Sequence, residues 1–209
     1  SSNNSEYRWH SIKELQRVVD ISQNLRSRFS CDKPVLLVTN VGGFSEHSHL
    51  EKYELEPLRK RLIESLKQIN TGGEVEIIPQ TMPPFPWHFG GQRFHNLFVD
   101  GKFIEEFCQE TNMRVCLDVS HSKLACTHLN ASFSAFIKSI LPFTAHLHLA
   151  DAKGVDGEGL QIHDGEIDWV ELFRLMEKIA PNASFIPEIW QGHKNNGEGA
   201  WLALERLEH

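Results

Sequence analysis

The chain has no apolar run near the roughly 20 residues that a membrane-spanning helix needs. No secretory leader is readable at its start. It lacks an excess of positive charge: 21 Lys and Arg stand against 28 Asp and Glu, for a net charge of −7. That balance disfavours a duplex-DNA partner, because phosphate binding draws on a basic face. No CxxC pair and no zinc-type spacing links the four cysteines, Cys31, Cys108, Cys116 and Cys126. They read as reduced thiols, and a cytoplasmic location is expected. Repeats and low-complexity tracts are absent too, which excludes solenoids. What remains is one soluble α/β domain of 209 residues, long enough for a sizeable core. Residues 1–206 read as this single domain, and Leu207-Glu208-His209 resembles the start of a purification tag. Ser-Ser-Asn-Asn at the start reads as a disordered or truncated beginning.

Helical and extended patterns alternate along the chain. A helix is expected from about Ser11 to Phe29, opened by the capping box Ser11-Ile-Lys-Glu14. Strand VLLVTN follows, then a helix from about Leu55 to Asn70 that ends at Gly72-Gly73, then strand EVEIIPQ. A Pro/Gly/aromatic loop, TMPPFPWHFGGQRFHN, interrupts the rhythm. Loops of such length in compact domains are usually functional or disordered, and its aromatic content favours order. Three further strands, MRVCLDVS, TAHLHLAD and SFIPEIW, alternate with helices. The turn-rich segment GVDGEGLQIHDGE precedes a helix that starts at the second capping box, Asp168 to Glu171. Strand–helix alternation predicts a parallel sheet covered by helices. An open doubly wound sheet and a (β/α)₈ barrel both fit.

Polar residues at the ends of the apolar runs decide between them. Asn40 ends VLLVTN, Gln80 ends EIIPQ, Asp118 and His121 close CLDVSH, His148 lies in HLHLAD and Glu188 in FIPEIW. The C-terminal ends of barrel strands are where chemistry is done. The fold expected is therefore a (β/α)₈ TIM barrel. Only five of its eight strand–helix units are visible, with the others expected upstream or replaced by a partner. Strand alternation puts His146 and His148 on one side, and likewise Cys116 and Asp118. Two carboxylates and a histidine from three strands suit one divalent cation of the Mn, Zn, Co or Mg kind. For any one of them the plain alternative is a loop-start cap. The set at equivalent strand ends is what favours a metal.

CLDVSH, HLHLAD, GEGLQIHDGEIDW and PEIW together are similar to the xylose-isomerase-like superfamily of TIM barrels. That superfamily holds sugar and sugar-phosphate isomerases and epimerases, together with abasic-site endonucleases. The likeness runs from about Ile12 to Glu205. It implies Asp118, His148 and Glu188 as metal ligands and His121 as a neighbour touching metal or substrate. It also implies two glutamates that shuttle a proton. Gln80 stands where the first of them is expected; its amide oxygen can ligate a metal but cannot act as a base. Glu188 is then the expected base on one face. His88, with an ordinary pKa of about 6.5, is the expected replacement on the other. The endonuclease branch has a histidine where Asn40 stands and a DRH-like triplet where Gly157-Glu158-Gly159 stands, so a trinuclear zinc site is not expected.

A narrower resemblance joins IPQTMPPFPWHFGGQRFHN and PEIWQGHKNNGEGAW to the isomerase-like domain attached to N-acetylneuraminate-synthase-like proteins. It implies sialic-acid-like sugar biosynthesis and a fused synthase domain upstream. The expected partner is a small sugar or sugar phosphate, with no nucleic acid and no membrane; a homo-oligomer is compatible. Expected substrate contacts are Trp87 by stacking, Arg93, Lys153, His193 and Lys194 toward an anionic group, and Glu158 toward hydroxyls, with His121 as the neighbour touching metal or substrate. Each basic residue has a plainer reading as solvated surface. The expected function is isomerisation or epimerisation through an enediolate. A catalytically degenerate sugar-binding domain is the second reading and an abasic-site nuclease the third.

Overall fold

Five short runs rich in Val, Leu and Ile form parallel strands. They are β1 (Val35–Thr39), β2 (Val75–Pro79), β3 (Val115–Asp118), β4 (Thr144–Leu149) and β5 (Ser184–Pro187). Branched side chains favour the pleated backbone, and burial on both faces permits continuous apolar runs. This computed structural model describes residues 1–30, 32–88 and 90–208. Cys31, Phe89 and His209 lie outside the described residues.

The strands follow one another in space as they do in sequence. β1 pairs with β2 from Val35–Val75 to Thr39–Pro79, β3 with β4, and β4 with β5. β2 reaches β3 through one bridge, Gln80 to Cys116, reinforced by Thr81 N donating to Cys116 O at 3.1 Å. The register sets Asp118 beside His148 and His148 beside Ile186. Sequential parallel order with helical crossovers is the wall of an α/β barrel. Among the described residues, β1 and β5 have no outer neighbour strand.

The described helices that cover the outer face are α1 (Ser5–Arg26), α2 (Lys52–Leu66), α3 (Gly101–Thr111), α4 (Val119–His128), α5 (Phe133–Ile140), α6 (Trp169–Ile179) and α7 (Lys194–Leu207). The main core lies beneath α3 to α6, where Phe98, Phe107, Leu124, Ile137, Leu147 and Leu149 are sealed from solvent. Full burial of such a side chain is worth about 1.5–3 kcal/mol. Phe98 meets Phe103 and Phe107 edge to face with centroids 5.7 and 5.0 Å away, and Phe103 and Phe107 are tilted at 6.2 Å. No described helix is long and apolar enough to cross a membrane.

Several local expectations are corrected. α1 starts at Asn4, whose side chain accepts from the N–H groups of Glu6 and Tyr7, so the Ser11 box is not its start. Ser11 lies inside the helix and donates to Tyr7 O. The first residues are tied down as well, since Ser1 Oγ donates to Val41 O at 3.0 Å. α2 opens at Glu51, with Glu54 accepting the Glu51 N–H, and it tolerates Pro57 inside. The segment after β4 is not loose turn but an antiparallel ribbon, Asp151–Lys153 against Gly157–Leu160. α4, a helix not foreseen, starts directly at the end of β3.

The long loop is ordered and folded back on itself. Met82 N donates to Phe98 O, His95 N to Pro84 O and Arg93 N to Pro86 O. Trp87–His88 pairs with Gly91–Gln92, and Phe94–His95 pairs with Phe44–Ser45 after β1. The loop therefore forms a ribbon clamped beside the C-terminal ends of β1 and β2.

Candidate metal centre

Asp118 is the last residue of β3 and the N-cap of α4. One carboxylate oxygen performs each duty. Oδ1 accepts the His121 N–H at 2.8 Å, and Oδ2 faces the strand ends. The cap is thus made by one oxygen, which leaves the other free to face Gln80 and His148. Thr81 fixes its backbone: the Thr81 hydroxyl accepts the Asp118 N–H at 2.9 Å and donates to the Asp118 carbonyl at 3.1 Å. Ser122 Oγ donates to the same carbonyl at 2.6 Å. Thr81 is fully buried. Thr81→Val, which leaves that N–H unpaired, is expected to lower unfolding free energy in urea by about 1–3 kcal/mol. An unchanged midpoint and slope would contradict this.

His148 enters from β4 and Glu188 from just beyond β5, where Glu188 N donates to Leu149 O at 2.9 Å. The His148 Nδ1 lies 2.6 Å from Glu188 Oε2 and 3.7 Å from Asp118 Oδ2. One ligand atom from each of Asp118, His148 and Glu188 falls within 4.8 Å of the others. Gln80 closes the fourth side, its Nε2 2.9 Å from Asp118 Oδ2 and 3.1 Å from His148 Nδ1. Two carboxylates and an imidazole form a mixed oxygen–nitrogen donor set, which fits one divalent cation, while the Gln80 amide turns its NH₂ toward them.

The electrostatics follow from the crowding. Burial opposes charge on His148, but hydrogen bonds to Asp118, Cys116 and Glu188 outweigh it and raise its pKa to about 12. Burial alone would raise the Asp118 pKa too. The nearby His121, the hydrogen bond to His148 and the His121 N–H bring it below the ordinary carboxylate range. His146 stands one layer deeper with its ring 5.3 Å from that of His148, on the side that strand alternation gave it. Its Nδ1 is 2.7 Å from Ser184 Oγ. Burial, then His148, lowers its pKa.

His121 and Glu158 form a second polar pair beside the first. His121 Nδ1 is 3.0 Å from Thr81 O, and its Nε2 is 3.6 Å from Glu158 Oε2. The Glu158 turn is held by Gly159, whose N–H donates to Ser120 Oγ at 3.0 Å and whose φ of +68° suits glycine. A Cβ there would also press to 3.1 Å from Trp190 N. Burial raises the Glu158 pKa, against the pull of His121.

Other expected contacts lie apart from this cluster. Trp87 is 71% exposed on the loop ribbon. His88 sits near it with its ring 5.4 Å from that of His95, and it is close enough to pull the Glu158 pKa down. Arg93 faces Glu46 at 3.9 Å instead of the strand ends. Among the described residues, Lys153, His193 and Lys194 make no described contact with the cluster, and Lys194 donates to Gln191 in its own turn. Asn40 closes a local turn by accepting the Gly42 N–H at 2.8 Å, so it does not join the metal cluster. Asp151, three residues after His148, accepts from Trp169 Nε1 at 2.8 Å and from the N–H groups of Ala152 and Ile167. Cys108, Cys116 and Cys126 are buried free thiols. Burial pushes Cys108 and Cys126 up to about 12.

Sequence reading assigns no individual role to Thr81, or to His95, which it offers only as one of the polar residues of the long loop. Thr81 directly follows Gln80, yet its role depends on a strand 37 residues away. His95 is 1% exposed, and only packing reveals that.

No curated protein matches the chain. Among solved structures, a D-tagatose 3-epimerase-like protein superposes with a TM-score of 0.68 at 17% identity, covering 99% of this chain and 73% of that one. The IOLI protein with a bound zinc atom gives 0.71 at 12% identity, covering 98% and 70%. Endonuclease IV from Thermus thermophilus gives 0.53 at 16% identity, covering 83% and 61%. Such distant likenesses establish the fold, and that fold carries unlike chemistries. The family model described as xylose isomerase-like TIM barrel matches residues 1–207. The chain belongs to the xylose isomerase-like TIM-barrel family.

Proposed function

We propose that the chain is a divalent-metal-dependent isomerase or epimerase acting on a sugar or sugar phosphate. The observation that carries this reading is the meeting of Asp118, His148 and Glu188 within 4.8 Å at the C-terminal ends of adjacent parallel strands. Support also comes from the D-tagatose 3-epimerase-like neighbour and from the zinc in the IOLI protein.

Asp118, His148 and Glu188, with Gln80 beside them, would hold the cation. Bound there, a divalent cation supplies a Lewis acid that polarises a substrate carbonyl. The chain's own groups do the rest. The Glu188 carboxylate takes the proton from the carbon next to the carbonyl, and the C–H electron pair becomes the enediolate double bond. His121 and Glu158 hold sugar hydroxyls in the adjoining polar pair. Gln80 has no titrating proton, so it cannot serve the opposite face. His88 on the loop ribbon is assigned that role, and Trp87 beside it offers an exposed stacking face. Among Arg93, Lys153, His193 and Lys194, none makes a described contact with the cluster, which leaves a phosphate group to the looser rim. Placement in sialic-acid-like sugar biosynthesis, with a fused synthase domain, rests on the loop and PEIWQGH resemblance alone.

Calorimetric titration with Mn²⁺, Zn²⁺ and Co²⁺, followed by isomerase and epimerase assays on sugars and sugar phosphates, tests the proposal. Binding of a cation with turnover of a sugar is expected. Silence with all three ions would sink it. The second reading, a catalytically degenerate sugar-binding domain, is favoured by one observation: Gln80 sits where proton transfer needs a base. Ligand-induced melting shifts without turnover would select it.

A further inference from the structure

Gln80 differs in kind from the other strand-end groups. It carries no charge, and its amide can turn either a donor or an acceptor inward. Here it turns the donor. The orientation follows from the partner: Asp118 Oδ2 is a carboxylate oxygen, so the atom 2.9 Å from it must donate. An amide oxygen in that place would face the carboxylate charge and be repelled. The same Nε2 lies 3.1 Å from His148 Nδ1. Those two atoms belong to residues of the trio that converges within 4.8 Å. A group within hydrogen-bond distance of both stands in or against the space that a shared cation needs.

The amide thus does part of a cation's electrostatic work. Its polarised N–H attracts Asp118 Oδ2 and, together with His148 between them, offsets the repulsion between the Asp118 and Glu188 carboxylates. It also keeps β2 tied to β3, through Asp118, at the point where a single bridge joins the two strands. With the metal-dependent reading as its basis, we propose that Gln80 is a placeholder for the cation: a donor that holds the ion-free cage together and reverses its amide to present Oε1 when the ion enters. A glutamate at this position would bring a third carboxylate to the cage. Asp118 and Glu188 together carry two negative charges, which one divalent cation cancels. Gln80 therefore lowers the cost of the empty cage and also lowers the affinity of the full one. The ion held here is an exchangeable one.

The test uses the whole chain, labelled with ¹⁵N, and Zn²⁺ alone as the probe. The Gln80 side-chain NH₂ signal is assigned as the pair missing from Gln80→Glu. In the ion-free protein it is expected to exchange with water about tenfold more slowly than the exposed Gln92 amide. Zn²⁺ is expected to shift it and remove the protection. Calorimetry is expected to show Gln80→Glu binding Zn²⁺ about tenfold or more tightly than wild type, because ligand charge sets affinity. An unprotected ion-free amide overturns the proposal, as does an amide unchanged while calorimetry shows the ion bound. Equal or weaker Zn²⁺ affinity in Gln80→Glu overturns it too. Absence of Zn²⁺ heat in both proteins overturns the metal-dependent reading itself, and the placeholder with it.

Discussion

Asp118→Ala is expected to weaken divalent-cation binding by roughly 100-fold or more, since loss of a group that merely orients a ligand already costs about 10–100-fold. Asp118 is the hub of the cluster: its Oδ2 lies 2.9 Å from Gln80 Nε2, 3.2 Å from His121 Nδ1 and 3.7 Å from His148 Nδ1. The alanine variant also loses the cap of α4, worth about 1 kcal/mol of stability. Asp118→Asn separates the two effects, because an asparagine oxygen still accepts the His121 N–H while the ligand charge is gone. Cation binding should collapse in both variants, with the thermal midpoint falling further in Asp118→Ala. Wild-type affinity in Asp118→Asn would show that the cluster does not bind its ion through this carboxylate.

Acid unfolding should be governed to a large degree by His95. Its ring lies 5.4 Å from that of His88 and 6.3 Å from that of Phe44. Both ring nitrogens are sealed from water, and neither has a partner close enough for a good hydrogen bond among the described residues. Burial, then the charge of His88, lowers the His95 pKa to about 3, while the Pro83 carbonyl pulls weakly the other way. In the unfolded chain the same imidazole titrates near pH 6.5. Between those values the unfolded chain holds a proton that the folded chain refuses. The stability is present in full above about pH 6.5 and is lost as pH falls toward about 3. The slope is about 1.4 kcal/mol per pH unit, and the total loss is on the order of 4 kcal/mol. Against a total stability of about 5–15 kcal/mol this one side chain weighs heavily. Urea unfolding from about pH 4 to about pH 7 is the measurement. His95→Phe should flatten the pH slope by about one proton, whatever it does to packing near neutral pH. Identical slopes in the two proteins would refute the account.

Local sequence did not reveal several features, and the reasons differ. The Ser11 box satisfies a capping pattern, yet Asn4 starts α1. The first turns of that helix are largely exposed, so no apolar stripe marks them. Lys153, His193 and Lys194 are long or polar surface groups and Arg93 is partly buried, and their neighbours in sequence do not say where they point. Asp151 looks like a partner for His148 by proximity, but Trp169 offers it an indole N–H from another element. Thr81 reads as an ordinary polar residue until β3 is laid beside it.

The sequence by itself determined which chemical groups stand at the strand ends. Apolar runs of strand length end at Gln80, Asp118, His148 and Glu188, and alternation along each strand puts His146 beneath His148. Those are local properties, carried by side-chain volume and a period of two. Only the tertiary structure decided that Asp118, His148 and Glu188 meet within 4.8 Å, that Gln80 faces them with its donor, and that Asn40 turns away. Distances between strands depend on register, twist and the packing of helices behind the sheet, which are sums over the whole core. No single stretch of chain contains that information.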